Sequence, residues 1–384
     1  MLISKGNNSR LSKNNSIIGY FKSFLSLFHP SLAFANDEPG ALWLPSDSTS
    51  MTVARKGGAN VTDTDVVGIF RDSARNGGLT GANFDTAQTD LWIDVTPTVF
   101  DVGGSSGAYN DATNTFSNTS VGSNSGFPRF QFGDPLIIGT WYRVQMSFTG
   151  ADTDSLVGIV VGTKAYPKAS ASEVNALFKA EATELRVYTN GTSTFSDLVL
   201  SSASIKAVPG FPLVAPSDTA RPTWNENGGL SYLKFNGVDK ELVANVSGFT
   251  SNMTVITAIE TTDTKFVLHS GDTTSKHLLS VEQSSAITSI TAGAGTPSLR
   301  VDGVDIGSTT RGSLYALLSD GNPHVITMSG ADLTTWSEFG ISNFAAGWFL
   351  NGKVFPTIAI DNPSTELRDQ LEQYVASQSG ATIL

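Results

Sequence analysis

The sequence has no cysteine among its 384 residues, which excludes disulfide bonds, thiol chemistry and thiolate metal sites. Charged residues are also scarce, at 15% of the chain against about a quarter in typical globular proteins. No apolar run is long enough to span a bilayer. Gly, Ser, Thr, Asn and Asp are abundant instead, and these residues favour turns between short strands. The composition therefore predicts an all-β protein whose stability comes from packing.

The charge is negative and unevenly distributed. The net charge is −11 overall, but residues 1–40 carry +2 and the remaining 344 residues carry −13. Phosphate contacts need a cationic face, so an acidic body argues against nucleic acid as a partner.

Histidine motifs for metal sites are missing as well. The four histidines are too dispersed for H-x-H or H-E-x-x-H spacing, at His29, His269, His277 and His324. His324 is better explained as a residue of a β-sheet.

Hydrophobic periodicity indicates strands through most of the chain and a helix at its end. Apolar and polar residues alternate in segments such as Trp141–Phe148 and Phe195–Ile205, as in half-buried strands. Val174–Thr183 is predicted as one short helix. Near the C-terminus, Asn362-Pro-Ser-Thr-Glu366 supplies an N-cap, and apolar residues follow at helical spacing before Gly380. We expect this segment to be one amphipathic helix against a sandwich.

One sandwich motif is divided by about 140 residues. Trp43-Leu-Pro-Ser-Asp47 and the segment Val67–Gly77 read as the opening of a fold whose continuation comes only at Ala220-Arg-Pro222 and Tyr232–Asp239. These motifs, in this order, resemble a family of bacteriophage virion proteins that carry a concanavalin A-like (laminin G-like) jelly roll. The resemblance covers residues 41–78 and 210–384 and implies a β-sandwich fixed to the head or tail of a particle.

The segment between the two halves resembles a second family. Gly139-Thr-Trp-Tyr-Arg-Val144 and Thr194-Phe-Ser-Asp-Leu-Val-Leu200 are similar to strands of carbohydrate-binding jelly rolls. The predicted architecture is two nested antiparallel β-sandwiches with an N-terminal arm, residues 1–40, and one C-terminal α-helix. The outer sandwich comprises residues 41–78 plus 210–384, and residues 79–209 form the inserted jelly roll.

Sugar binding is the activity that these resemblances imply, without cleavage. Glycosidases on this fold carry E-x-D-x-x-E, because retaining hydrolysis needs two carboxyl groups about 5.5 Å apart, and this triplet is missing from the sequence. Aromatic faces flanked by polar side chains bind pyranose rings. Tyr109 and Trp336 are expected to be exposed, and with Arg129 they are the candidate glycan-binding residues. Asp152 and Asp154 are candidate ligands for calcium, with a solvated loop as the alternative.

The N-terminal arm is rich in aromatic residues. A secretory signal with an A-x-A site at Ala33-Phe-Ala35 is one interpretation. A docking segment is the preferred one, because Lys22 and His29-Pro30 interrupt the apolar run. Its aromatic residues would then bind another virion protein, and they are Tyr20, Phe21, Phe24, Phe28 and Phe34.

The sequence thus predicts a virion structural protein, as head decoration, head fibre or tail fibre, that displays lectin-like domains in many copies to bind host cell-surface polysaccharide. It is expected at the virion surface, without enzymatic activity and without membrane insertion. The alternatives are a secreted bacterial carbohydrate-binding lectin and a glycan depolymerase.

Overall fold

The computed structural model describes residues 29–34, 38–53, 60–67, 69–74, 90–92, 96–100, 105–120, 128–170, 172–189, 193–246, 248–262, 265–268, 276–342 and 349–384. Strands account for 47% of the residues and helical segments for 12%, which confirms the all-β prediction. Most of the predicted arm, including Tyr20, Phe21, Phe24 and Phe28, lies outside the described residues.

The strands fall into three groups along the chain. Before the predicted insert come β1 (Gly40–Trp43), β2 (Met51–Thr52) and β3 (Ile69–Phe70). Within residues 79–209 lie β4 (Thr98–Phe100), β5 (Ser106–Asn110), β6 (Thr115–Ser120), β7 (Arg129–Gln131), β8 (Trp141–Thr149), β9 (Leu156–Val161), β10 (Lys164–Pro167), β11 (Glu173–Lys179), β12 (Leu185–Thr189) and β13 (Phe195–Val208). The last group is β14 (Leu213–Val214), β15 (Thr223–Asn227), β16 (Leu230–Asn236), β17 (Leu242–Asn245), β18 (Met253–Thr261), β19 (Lys265–Leu268), β20 (Leu279–Glu282), β21 (Ser298–Val301), β22 (Val304–Asp305), β23 (Pro323–Ala331), β24 (Glu338–Ile341) and β25 (Asn351–Asp361).

Two α-helices are described, α1 (Arg311–Leu318) and α2 (Thr365–Ser379). The predicted C-terminal helix is confirmed in α2, where the Ser364 side chain accepts a hydrogen bond from the Leu367 amide and Gly380 ends the helix with φ of 78°. Helix α1 was not predicted. Short 3-10 turns lie at Pro30–Phe34, Ser48–Ser50 and Thr153–Ser155. None of the described helices is long and apolar enough to cross a membrane.

The outer sandwich is built from strands on both sides of the insert. Sheet A has the order β15-β16-β25-β18-β23-β21-β22, with β1 also paired to β25, and sheet B has the order β2-β3-β14-β17-β24-β19-β20. Their facing sides enclose one core that includes Trp43, Phe70, Phe235 and Phe339. Strand β3 pairs with β14 across the predicted insert, with Phe70 opposite Leu213.

The strands of residues 79–209 form two further sheets. Sheet C has the order β10-β9-β12-β7-β4 and sheet D the order β11-β8-β13-β6-β5. They enclose a second core that includes Phe116, Phe130, Tyr142 and Val187. Whether this segment folds as an independent domain stays a prediction.

The predicted helix at Val174–Thr183 is wrong. Residues 173–179 form strand β11, which pairs with β8 along its whole length. Val174 and Phe178 are buried while the residues next to them are only partly covered, so a period of two decides the structure over the helical propensity of Ala, Leu, Glu and Lys.

Sheet A is covered on its outer side by α2. All residues of strand β1 are buried because both faces of the strand are covered. Ala41 and Trp43 lie in the core of the outer sandwich, and Leu42 lies on the side covered by α2. Leu371 and Val375 of α2 pack there against Ile358 and Ile360 of β25. Strands with both faces covered are apolar throughout rather than alternating.

A buried carboxylate joins the two ends of the insert to the outer sandwich. Asp72 is fully buried, and its Oδ1 accepts hydrogen bonds from the amides of Leu42 (2.9 Å) and Ala74 (3.0 Å). Its Oδ2 accepts a longer bond from the amide of Phe211 (3.4 Å). One side chain therefore binds strand β1, the chain leaving the outer sandwich and the chain returning to it.

Candidate functional site

The structure corrects the predicted exposure of Trp336. This residue is 4% exposed and belongs to the core of the outer sandwich. Its indole Nε1 donates to the carbonyl of Gly293 over 2.7 Å, so the polar edge is satisfied inside the protein. A buried ring of this kind offers no face to a sugar.

Tyr109 occupies a packing position. Its ring lies against the core between sheets C and D, with ring centroids 5.0 Å from Phe116 and 6.0 Å from Phe132. Its hydroxyl donates to Asn114 Oδ1 over 2.9 Å within the same hairpin. The expected exposed aromatic platform at Tyr109 is therefore not what the structure shows.

The two candidate calcium ligands belong to a loop held by hydrogen bonds. Asp152 Oδ2 accepts from the amides of Ser196 (2.9 Å) and Asp197 (2.8 Å). Asp197 Oδ2 in return accepts from the amide of Ala151 over 2.8 Å. Asp154 lies in the adjacent 3-10 turn. Across the described ranges, no group of three His, Asp or Glu side chains is placed to hold a metal ion.

Phe34 is the one predicted docking residue that the structure describes. It is 7% exposed and packs with Ala33 against Leu371 and Val375 of α2. The ring is therefore covered by its own chain rather than exposed, and its expected role in binding a partner stays a prediction.

Arg129, the third glycan candidate, lies on the outer face of sheet C. Strand β7 pairs with β4 on one side and β12 on the other, which places Phe100, Arg129 and Tyr188 in one row across three strands. The row spans about 10 Å, because neighbouring strands lie about 4.8 Å apart. The Arg129 guanidinium lies 4.8 Å from the centroid of the Tyr188 ring, and Phe100 is 39% exposed.

A second row runs parallel to the first. It consists of Thr98, Gln131 and Arg186, again one residue from each strand. Arg186 Nε donates to Gln131 Oε1 over 3.0 Å, and its guanidinium lies 5.3 Å from the Phe100 ring centroid. Glu184 forms an ion pair with Arg186 at 3.3 Å.

Strand alternation explains why these side chains share one face. Val99, Phe130 and Val187 point into the core between sheets C and D. Successive side chains of a strand point to opposite faces, so the residues on either side of each point outward. We name this surface the sheet C face and define it as Thr98, Phe100, Arg129, Gln131, Arg186 and Tyr188.

The side chains of the sheet C face can stack on a flat ring and form hydrogen bonds. The sheet C face combines aromatic rings with guanidinium, amide and hydroxyl groups, which stack on sugar rings and hydrogen-bond their hydroxyls. Sequence reasoning found Arg129 but missed Phe100 and Arg186. The only signal was the alternation in Thr98-Val-Phe100 and Arg129-Phe-Gln131, too short in each case to be distinctive.

A charged cluster lies in the outer sandwich, far along the chain from this face. His324 is a buried residue of β23, as predicted, and both ring nitrogens contact carboxylates: Nδ1 lies 2.7 Å from Asp302 Oδ2 and Nε2 lies 3.0 Å from Asp320 Oδ1. Hydrogen bonding to Asp302 raises the pKa of His324, with Asp320 acting in the same direction and burial opposing. Burial acts to raise the pKa of Asp320, but hydrogen bonds from Asn322 and His324 outweigh it and lower the pKa to about 2. The ring lies between the two carboxylates, so a protonated His324 forms an ion pair with both Asp302 and Asp320.

A cavity of about 280 Å³ lies where the insert joins the outer sandwich. Gly139–Trp141 and Ala207–Phe211 line it. Trp141 and Val208 also pack against Leu177 and Val214, which links sheet D to strand β14 of sheet B.

Comparison with known protein families, with curated proteins and with solved structures finds no match for this chain.

Proposed function

We propose that this protein is a non-catalytic component of a bacteriophage particle that binds host cell-surface glycan through the sheet C face. The observation that carries the glycan proposal is the row Phe100, Arg129 and Tyr188, an exposed ring and a cation held on an aromatic face. Stacking against a flat ring and hydrogen bonding to hydroxyls are the two interactions that sugars offer to proteins. The virion assignment rests on the sequence resemblance of the outer sandwich.

The location of the face suits an attachment function. It lies on the segment between β3 and β14, while the outer sandwich is completed by strands on both sides of that segment. The outer sandwich can thus be fixed to a particle while the sheet C face is presented to a host. Many copies on one particle would raise the avidity of a weak single site.

The test compares glycan binding by the full chain displayed in many copies on beads. The double variant Phe100→Ala, Arg129→Ala removes the exposed ring and the stacked cation. Lys164→Ala is the matched control, since it removes an exposed cation from β10 of the same sheet. We expect a glycan array and host-envelope pulldown to show binding by the wild type and the control and loss of binding by the double variant. Equal binding by all three, or none above bare beads, would contradict the proposal.

The particle assignment has its own test. We expect the chain to copurify with intact phage particles in many copies. Its absence from purified particles, with glycan binding retained, would favour the secreted lectin instead. Release of reducing sugar from a bound polysaccharide would favour the depolymerase.

A further inference from the structure

We propose that the sheet C face selects glycans that carry a carboxylate, and that Arg129 is the residue that binds it. This inference rests on the proposed function and adds a substrate class to it. It predicts recognition of acidic sugars such as uronic acids, rather than neutral sugars of the same shape.

The two arginines of the sheet C face differ in their hydrogen-bond and ion-pair partners. Arg186 has a carboxylate, Glu184, at 3.3 Å and donates to Gln131 at 3.0 Å. Arg129 has the Tyr188 ring at 4.8 Å, and no described residue accepts a hydrogen bond from its side chain or forms an ion pair with it. Its Nε is buried without a hydrogen-bond partner.

A guanidinium without an acceptor among the described residues is available to an anionic ligand. A buried donor without a partner is costly, and native proteins keep few of them. Stacking on Tyr188 holds the guanidinium plane and so reduces the entropy that binding would cost. The net charge of −11 opposes any general attraction of anions, so affinity for an acidic ligand must come from this local group.

A carboxylate fits this group better than a hydroxyl does. The guanidinium presents a planar fork of N–H donors that matches the two oxygens of a carboxylate, and bonds between charged partners are about twice as strong as neutral ones. Phe100 is the cross-strand neighbour of Arg129. A sugar stacked on the Phe100 ring would therefore place a ring substituent within reach of Arg129.

The experiment uses a panel of uronic-acid polysaccharides, each printed beside its carboxyl-reduced neutral form. For the wild type we expect binding to at least one acidic polymer and an affinity about 10- to 100-fold lower for its reduced partner. Arg129→Gln removes the charge and should abolish this preference. Arg129→Lys keeps the charge without the planar fork and should retain only part of it. Circular dichroism and thermal unfolding establish that each variant is folded, and Lys164→Gln is the control for loss of a cation elsewhere on sheet C.

The outcomes separate this inference from the proposed function. Equal binding of acidic and reduced polymers, binding to neutral glycans alone, or a preference that survives Arg129→Gln would overturn the inference and leave glycan binding intact. No binding to any glycan would overturn both. A preference that disappears in Arg129→Gln but not in Lys164→Gln would support the assignment of Arg129.

Discussion

The indole Nε1–H of Trp43 donates a hydrogen bond to the carbonyl of Phe211 over 2.9 Å, although the two residues are 168 positions apart. Trp43 ends the first strand of the outer sandwich, and Phe211 belongs to the chain that returns after the insert. Asp72 binds the amide of the same Phe211. The backbone N–H and C=O of Phe211 are thus both used to attach the returning chain to the outer sandwich.

Gly210→Ala should destabilise this attachment. A Cβ at Gly210 would lie 2.5 Å from Asp72 Oδ2, and the residue has φ of +72°. Gly228→Ala is the matched control, because Gly228 has φ of +62° with no atom within 4 Å of its Cβ position. Both variants carry the backbone penalty of about 1 kcal/mol for a left-handed residue, and only Gly210→Ala adds the steric clash. We expect chemical denaturation to show the larger loss for Gly210→Ala, and equal losses would contradict the junction as described.

Replacing residues 79–209 with a short Gly/Ser linker should leave a soluble outer sandwich. The amides of Ala74 and Phe211 bind one carboxylate, so the described chain on the two sides of the insert lies close together at these residues, which favours joining the two sides by a short linker. We expect a single cooperative unfolding transition for the shortened protein. The isolated segment 79–209 should likewise give dispersed amide resonances. Aggregation of both pieces would count against independent folding.

His324 should make stability fall as the pH rises from about 6.5. Its native pKa is raised, so the stabilisation is complete below the unfolded value of about 6.5, where both states are protonated. Above about pH 6.5 the unfolded chain loses its proton while the native state still keeps it, so the free energy of unfolding falls until the pH passes the native pKa of His324. The total loss is about 1.4 kcal/mol for each pH unit that separates the native pKa from the unfolded one. His324→Gln should flatten this slope. A slope unchanged by His324→Gln would show that the ion pairs of His324 with Asp302 and Asp320 do not stabilise the native state.

His277 should act in the opposite direction. Burial lowers its native pKa to about 4, with the positive charge of Arg311 adding to the effect. Between about pH 6.5 and 4 the unfolded chain takes up a proton that the native state does not, so stability falls as the pH falls. The difference in unfolding free energy between wild type and His277→Gln, measured across this range, removes the background from carboxylates. A difference independent of pH would be the contrary result.

The sequence predicted features set by local chemistry. The C-terminal helix follows from a Ser364 cap and an apolar face, both of which act within a few residues. The fold class follows from composition together with turn residues.

Features set by distant contacts were not predictable in the same way. Trp336 lies in a polar loop sequence, and its burial depends on Gly293, which is 43 residues away. The sheet C face needs Phe100, Arg129 and Tyr188 to meet across β4, β7 and β12, and nothing in each short strand specifies its neighbours. Strand β11 shows the same limit, since its pairing with β8 overrides a local preference for helix.

The pairing of β3 with β14 has a mechanical consequence. These antiparallel neighbours place residues 71–212 where a hairpin would have its turn, so both connections to the inserted sandwich leave from one end of one strand pair. A force that pulls the inserted sandwich away from the outer sandwich would act on that end of the β3–β14 pair and separate the two strands one residue pair at a time. The hydrogen bond from the Phe211 amide to Asp72 joins the two connections ahead of the first strand pair, so it would carry the load before the sheet does.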